Sequence, residues 1–364
     1  MTRRDFLLGA GGVLLAGGLG AYGWRSAIGS MADYDRYTAD IRRPLSVDGV
    51  AGDLVRYATL AANGHNTQPW RFLITDSVIT IRADPSRATP AVDPDDHHMF
   101  VSLGCATENL ALAAAAAGKP GAADVDAEGR IEFRQSVGRP VQDPLFAAIP
   151  KRQSTRAVYD GRPVPAGVLD SLTRAAAIPG VRMVVVTKRR LLDQLRDLVV
   201  AGNDQQMLDQ AFIDELKHWL RFNPRNAMEK GDGLFSASSG NPVLPGILGG
   251  PAFDAFFSAA AENDRYARQI DSSAAIAVFL GEREDRQHWV AVGRACQRFA
   301  LAATLSGLKH AFINQPVEVK ALRSQLSSLI GEPGVRPDII MRFGYGADLP
   351  YSPRRPVAAV LDQP

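Results

Sequence analysis

Apolar positions along this chain of 364 residues fall into two periods. Helical spacing marks Asp33–Thr59, interrupted at Arg43-Pro44, and then a long run from Phe100 to Ala117, closed by Gly118-Lys119-Pro120. The same spacing predicts helices over Pro165–Ala177, Arg189–Ala201, Gln205–Leu220 and Trp289–Ser306. Short runs rich in β-branched and aromatic residues predict strands at Trp70–Thr75, with Val78–Arg82 as hairpin partner, and at Ile131–Phe133, Val181–Val186, Ala274–Leu280 and Asp338–Phe343.

Two stretches break the pattern. Asn63–Gln68 is a polar loop between the end of a helix and Pro69-Trp70, rich in groups that can hydrogen-bond a planar heterocycle. The second stretch, 223–251, is dense in Gly, Pro and Ser yet keeps Leu234, Phe235, Val243, Leu244, Ile247 and Leu248. Disordered linkers seldom hold so many apolar residues, so an ordered, irregular covering loop or lid is expected there.

An internal repeat changes the reading of the first loop. Gly104–Gly118 lies without gaps on Gly293–Gly307, matching both glycines, Ala106 with Ala295, and Ala111-Leu-Ala-Ala114 with Ala300-Leu-Ala-Ala303. Upstream, Leu54–Ala58 parallels Leu172–Ala176 and Trp70-Arg-Phe72 parallels Val181-Arg-Met183. Between those anchors the second copy is seven residues shorter, and the missing piece is the Asn63–Pro69 region. Conversely, Arg152-x-Ser154-x-Arg156 has no good counterpart in the first copy. The expectation is two tandem degenerate repeats, over 33–144 and 145–364, forming an intramolecular pseudo-dimer with one complete site; a monomer then suffices.

Composition narrows the class. Basic and acidic residues nearly balance, at 41 and 39, which leaves no electrostatic footprint for nucleic acid. Only two cysteines occur, Cys105 and Cys296, which read as buried filler and give no zinc spacing. Asp93-x-Asp95-Asp96-His97-His98 is a contiguous loop run rather than a closed metal-ligand set, and His65 reads as a cap or a solvent-facing residue rather than a base. At the N-terminus, Arg3-Arg4-Asp5-Phe6-Leu7 followed by a glycine-diluted apolar run resembles a twin-arginine (Tat) export signal. Residues 1–32 are accordingly expected to be a signal or anchor read by the export machinery, making the protein periplasmic or membrane-associated.

Asn63-x-x-Asn66-x-Gln68-Pro69-Trp70, Arg152-x-Ser154-x-Arg156 and Phe343-Gly-Tyr-Gly346 followed by Arg354-Arg355-Pro356, in this order, resemble the FMN-dependent nitroreductase superfamily. The fused one-site form is most similar to its Acg branch, whose single chains bind FMN and bury it under a lid. The resemblance implies an α+β, nitroreductase-like fold with antiparallel-rich sheets and long helices at the interface between halves. It implies that Arg152 and Ser154 hold the FMN phosphate and ribityl chain, that Arg156 sits by the pyrimidine edge, and that Arg354 or Arg355 completes the phosphate site. Asn66 would contact the ribityl or ring, with Asn63 and Gln68 also counted as cofactor-binding and Gln68 and Trp70 shaping the loop, while Asn314 and Gln315 would approach the ring from Phe312–Pro316. No catalytic side chain and no metal is implied. The activity implied is NAD(P)H-dependent reduction of a small nitroaromatic or quinone-type acceptor; the alternative is a non-catalytic FMN storage or sequestering protein with a lid over the flavin.

Overall fold

The computed structural model describes residues 26–46 and 49–362. Most of the expected export segment, up to residue 25, lies outside them. In chain order the first part runs α1 (Met31–Ile41), α2 (Ala51–Thr59), β1 (Trp70–Ile74), β2 (Val78–Ala83), α3 (His97–Ala116), β3 (Gly121–Val125) and β4 (Ile131–Gln135). There follow α4 (Pro144–Ala148), α5 (Ala166–Ala175), β5 (Val181–Val186), α6 (Arg189–Met207), α7 (Gln210–Trp219), β6 (Leu220–Arg221), α8 (Pro224–Lys230), β7 (Leu234–Phe235), α9 (Gly246–Phe256) and α10 (Ala259–Asp271). The chain ends with β8 (Ala275–Gly281), α11 (Arg286–Leu305), β9 (Lys309–Phe312), α12 (Gln315–Glu318), α13 (Arg323–Leu329) and β10 (Ile339–Gly344).

Two four-stranded antiparallel sheets carry the fold, ordered β1-β2-β4-β3 and β5-β8-β10-β9. Within each sheet the strands therefore lie first-second-fourth-third. Their surroundings differ. In the first sheet β2 alternates buried and half-exposed residues, because α3 covers one face only. In the second, every residue of β8 and β10 is buried, which is why those strands read as unbroken apolar runs. One core cluster joins both sheets to α3 and α11; another packs Leu192, Leu195 and Val199 of α6 on Ile276, Val278 and Ile340.

Helices α3 and α11 cross at the two glycines that head the repeat. A Cβ on Gly104 would stand 2.0 Å from the Val290 carbonyl oxygen, and one on Gly293 would stand 2.0 Å from that of Val101. The contact is reciprocal, each glycine facing the residue three places before the other. Glycine is required here because any side chain would hold the backbones apart. Around the crossing, Glu108 accepts from Arg294 (2.9 Å) and Arg298 (2.7 Å), and Gln297 donates to Asn109 (2.8 Å). Among the described helices, α3 is apolar and long enough to cross a membrane, but 83% of its apolar window is buried inside the fold.

Several boundaries depart from the sequence pattern. Helix α3 begins at His97 rather than Phe100 because the Asp93 carboxylate accepts the His98 and Met99 N–H groups, both at 2.9 Å. Strand β3 was not expected: Gly121-Ala-Ala-Asp-Val125 has little strand propensity and is held by its ladder to β4. Strand β9 and helices α10, α12 and α13 had no expectation either. The region 223–251 is not irregular: it contains α8, β7, a 3₁₀ turn at Ser236–Ser239 and the start of α9. Helix α8 has Asn223 as its cap, accepting from Asn226 N at 2.9 Å, with Pro224 in the first turn. Helix α9 forms despite three glycines and an internal Pro251, because Gly249 lets it close on the Phe222 ring, which a Cβ would meet at 2.3 Å.

Candidate functional site

The Asn63–Gln68 loop is locally strained and held by long-range bonds. His65, Asn66 and Gln68 all have positive φ, at 46°, 54° and 54°, whereas Gly64 does not. Left-handed backbone at non-glycine residues costs about 1 kcal/mol or more each, so the surroundings must hold it. Asn66 does this by donating to the carbonyls of Gly233 (3.0 Å) and Pro353 (3.1 Å) and accepting from Arg354 Nη1 (2.8 Å). Gln68 donates to Gly231 O (2.8 Å) and accepts from Arg355 N (2.9 Å). Asn63 Oδ1 closes the turn by accepting from Gln68 N at 2.8 Å. The loop thus ties the root of the lid to the C-terminal tail. Asn66→Ala is expected to lower stability by about 2–3 kcal/mol, since it removes the side-chain donor to Gly233 O and one acceptor of the buried Arg354 guanidinium, while Pro353 O keeps only Arg354 Nη1. His65→Gly should change it by less than about 1 kcal/mol. Urea titrations of both variants check this.

Beside the loop lies a cavity of about 480 Å³, within the range of small-molecule and cofactor sites. One wall is polar: Asn63, Gly64 and His65 from the loop, His98 from α3, Arg156, and Asn314, Gln315 and Glu318 at α12. The apolar part of the lining includes Phe212, Phe222, Leu234, Leu244, Phe253 and Phe257. Four of the residues singled out from the sequence, Asn63, Arg156, Asn314 and Gln315, therefore line one space. The other six do not. Asn66 and Gln68 are engaged as above. Arg354 is buried, and its guanidinium donates to Thr59, Leu60, Ala61, Pro353 and Asn66. Arg355 reaches Gln68 O and Ala359 O. Ser154 bridges His310 at the edge of β9.

Arg152 is the exception that bears on chemistry. It is buried behind the cavity near Cys105, itself on the cavity wall. Its Nη2 donates to Leu60 O at 3.1 Å, while Nε and Nη1 have no partner among the described residues. Among those residues neither Arg152 nor Arg156 pairs with a carboxylate, and burial pulls both pKa values below the ordinary one. Gln315 Oε1 is likewise buried and unpartnered. One buried guanidinium with donors left over and a second cation on the cavity wall, neither paired with a carboxylate among the described residues, can together take up an anion.

Sequence reasoning did not single out Glu318, and it placed His98 only in a surface loop. The two line the cavity, with His98 Nδ1 3.9 Å from Glu318 Oε1, and Gln206 donates to Glu318 Oε2 at 2.6 Å. Burial raises the Glu318 pKa and lowers that of His98, so both shifts favour neutral groups. Nothing in the local sequence links these residues, since α3 and α12 meet only in the folded chain. Asp93, His97 and His98 come within 4.8 Å of one another, but Asp93 caps α3 and His97 Nε2 bonds Asp338 Oδ1 at 2.8 Å.

Burial also lowers the His65 pKa to about 4 and drives that of His310, whose ring nitrogens are unpartnered among the described residues, well below the usual value. The unfolded chain therefore takes up protons on these rings that the folded chain refuses. Stability is expected to fall as pH drops from about 6.5 toward 4, by about 2 kcal/mol per ring at about pH 5. Asp338, raised to about 6 by burial, acts in the opposite sense. The check is thus a comparison of urea midpoints at neutral pH and about pH 5, where His310→Leu should show the shallower acid limb.

The described residues form an α+β fold with a cavity that has Arg156 on its wall and Arg152 buried near it. No family model matches the chain. It is 26% identical over 330 residues to a Mycobacterium tuberculosis H37Rv protein named as an NAD(P)H nitroreductase, spanning 84% of this chain and 89% of that one. It is 24% identical over 328 residues to the NAD(P)H nitroreductase acg of the same organism, spanning 84% and 93%. In both of these names the activity is given as putative. Among solved structures, the FMN-dependent nitroreductase NfnB of Mycobacterium smegmatis superposes with a TM-score of 0.37 at 13% identity, covering 56% of this chain and 87% of that one.

Proposed function

We propose that the protein binds one FMN in this cavity and acts as a nitroreductase-like oxidoreductase. The observation that carries the reading is the pair Arg152 and Arg156, two cations with no carboxylate partner among the described residues, one buried behind the cavity and one on its wall. A phosphate satisfies Arg152, and Arg156, Asn314 and Gln315 offer the donors and acceptors that a flavin ring edge takes. The cavity volume suits a tricyclic ring with a small acceptor beside it. The relatives named NAD(P)H nitroreductase, matched over most of both chains, support the same class.

The single-site, pseudo-dimeric organisation belongs to this reading. It is supported by the matching strand orders and by the reciprocal Gly104 and Gly293 contact. The loop comes from the first half and Arg152 and Arg156 from the second, so one chain completes the site. Bound FMN supplies two-electron chemistry, from NAD(P)H to a nitroaromatic or quinone-type acceptor. The chain's own part is to hold the charge with Arg152 and Arg156, to orient the ring with Asn314 and Gln315, and to exclude water with the lid phenylalanines.

The test is the absorption spectrum of the purified protein before and after reconstitution with FMN, followed by anaerobic titration. Flavin absorbance that NADH or NADPH bleaches is expected. A colourless protein that cannot be reconstituted overturns the proposal. Bleaching by dithionite alone would leave flavin storage as the function.

A further inference from the structure

Helix α9 is apolar except for Asp254, and only one of its faces is covered. Gly249, Ala252, Phe253 and Phe256 line the cavity, while Ile247 is 85% and Leu248 45% exposed on the outer side. Phe256 belongs to both, lining the cavity and 80% exposed, which places it at the mouth. From Ser236 to Phe257 the only charged residue is Asp254, already paired with Lys217 at 2.7 Å. A helix of this composition is stable in water only when its second face is also covered.

The position of the chain's entry indicates the cover. The first described residues lie at the foot of the lid: the Ser26 carbonyl accepts from Arg225 Nη1 at 3.0 Å, and Gly29, at φ 76°, packs on the Arg225 backbone. Arg225 belongs to α8, which begins two residues after Phe222, the ring seated on Gly249 of α9. Immediately before Arg25 the sequence runs from Phe6 to Trp24 without a charged residue. An uncharged apolar run of that length, though diluted by glycine, suits a lipid surface better than water, and Ser26, the first residue described after it, lies against α8, the helix that follows Phe222.

We propose that the outer face of α9 docks on a lipid bilayer and that the cavity mouth at Phe256 opens toward it, admitting a lipid-soluble, ring-bearing acceptor. The acceptor rests on the proposed function; the docking does not. One membrane face covers both apolar features, the lid helix and the N-terminal run, and a substrate dissolved in lipid reaches the phenylalanine wall without crossing water.

The test uses the full chain with Phe256→Trp, and separately Val137→Trp on the exposed connector between the halves, mixed with phosphatidylcholine–phosphatidylglycerol vesicles whose acyl chains are brominated. Relative to the wild type, the added emission at 256 is expected to be quenched at least about two-fold, and that at 137 to be unaffected. Adding Ile247→Ser and Leu248→Ser, both at exposed positions, should weaken that quenching about ten-fold. Equal quenching at 256 and 137 overturns the proposal. So does a residue 256 already shielded from acrylamide without vesicles, which would mean that a second copy or the chain's own N-terminal run covers α9. The flavin spectrum is recorded on the same samples. Position-specific quenching without flavin would remove the proposed function and leave the docking standing, and bound flavin with equal quenching would do the reverse.

Discussion

Arg152→Ala combined with Arg156→Ala is expected to yield a colourless protein whose FMN affinity has fallen by between about a hundred-fold and ten-thousand-fold. Each arginine contributes charge-assisted hydrogen bonds worth about 1.5–3 kcal/mol, and every 1.4 kcal/mol is about a factor of ten in affinity. The effect belongs to binding rather than folding, because two of the Arg152 donor groups have no partner within the described chain. Its removal even relieves a buried, unpaired charge. Arg354→Ala provides the contrast. That guanidinium makes five hydrogen bonds within the chain, to Thr59, Leu60, Ala61, Asn66 and Pro353, so its loss is expected first as a lower urea midpoint. Fluorescence titration with FMN alongside urea unfolding separates the cases. Unchanged FMN affinity in the double arginine variant would sink the proposed site.

Gly104→Ala is expected to cost at least about 2 kcal/mol of stability. Alanine favours a helix over glycine by about 1 kcal/mol, which by itself would stabilise α3. Against this, the new Cβ would lie 2.0 Å from the Val290 carbonyl oxygen, which belongs to the backbone of α11 and cannot swing aside. The two helices must separate. Overpacking of that kind costs about 1–3 kcal/mol, and the weaker dispersion between the separated helices along the rest of the crossing adds to it. Gly293→Ala should cost a similar amount through the Val101 carbonyl. The double variant should cost less than the sum, because one separation accommodates both methyl groups. Denaturant midpoints of the three variants decide it, and a stabilised Gly104→Ala would contradict the close crossing.

Much of the scaffold was legible in the sequence. Strands β8 and β10 are short apolar runs because both their faces are covered, and α11 announces itself by periodicity from Trp289, although its Asp285 cap on His288 N at 2.9 Å sets the start three residues earlier. The glycines at 104 and 293 stand out in the sequence as matched positions of the repeat, while the carbonyl each one meets is set by the crossing of α3 and α11. By contrast, β3 and α9 were not readable. Gly121–Val125 becomes a strand only when β4 offers its edge, and Gly246–Phe256 becomes a helix only when Phe222 receives Gly249. Local propensity argues against both, and tertiary contact overrides it.

The site divides in the same way. The sequence by itself determined what these side chains can bond, and its resemblance to the nitroreductase superfamily pointed to Asn63, Arg156, Asn314 and Gln315 as groups for an anion and a ring. It could not distinguish Arg152, with two donor groups unpartnered among the described residues, from Arg354, whose donors are all taken. That difference depends on which backbone carbonyls the fold brings within 3 Å or so of each guanidinium. Nor could it place His98 against Glu318, or put Phe256 at the mouth of the cavity. Residue type sets what a side chain can bond; only the tertiary structure decides which of those bonds are already made, and it is the unmade ones that are left for a ligand.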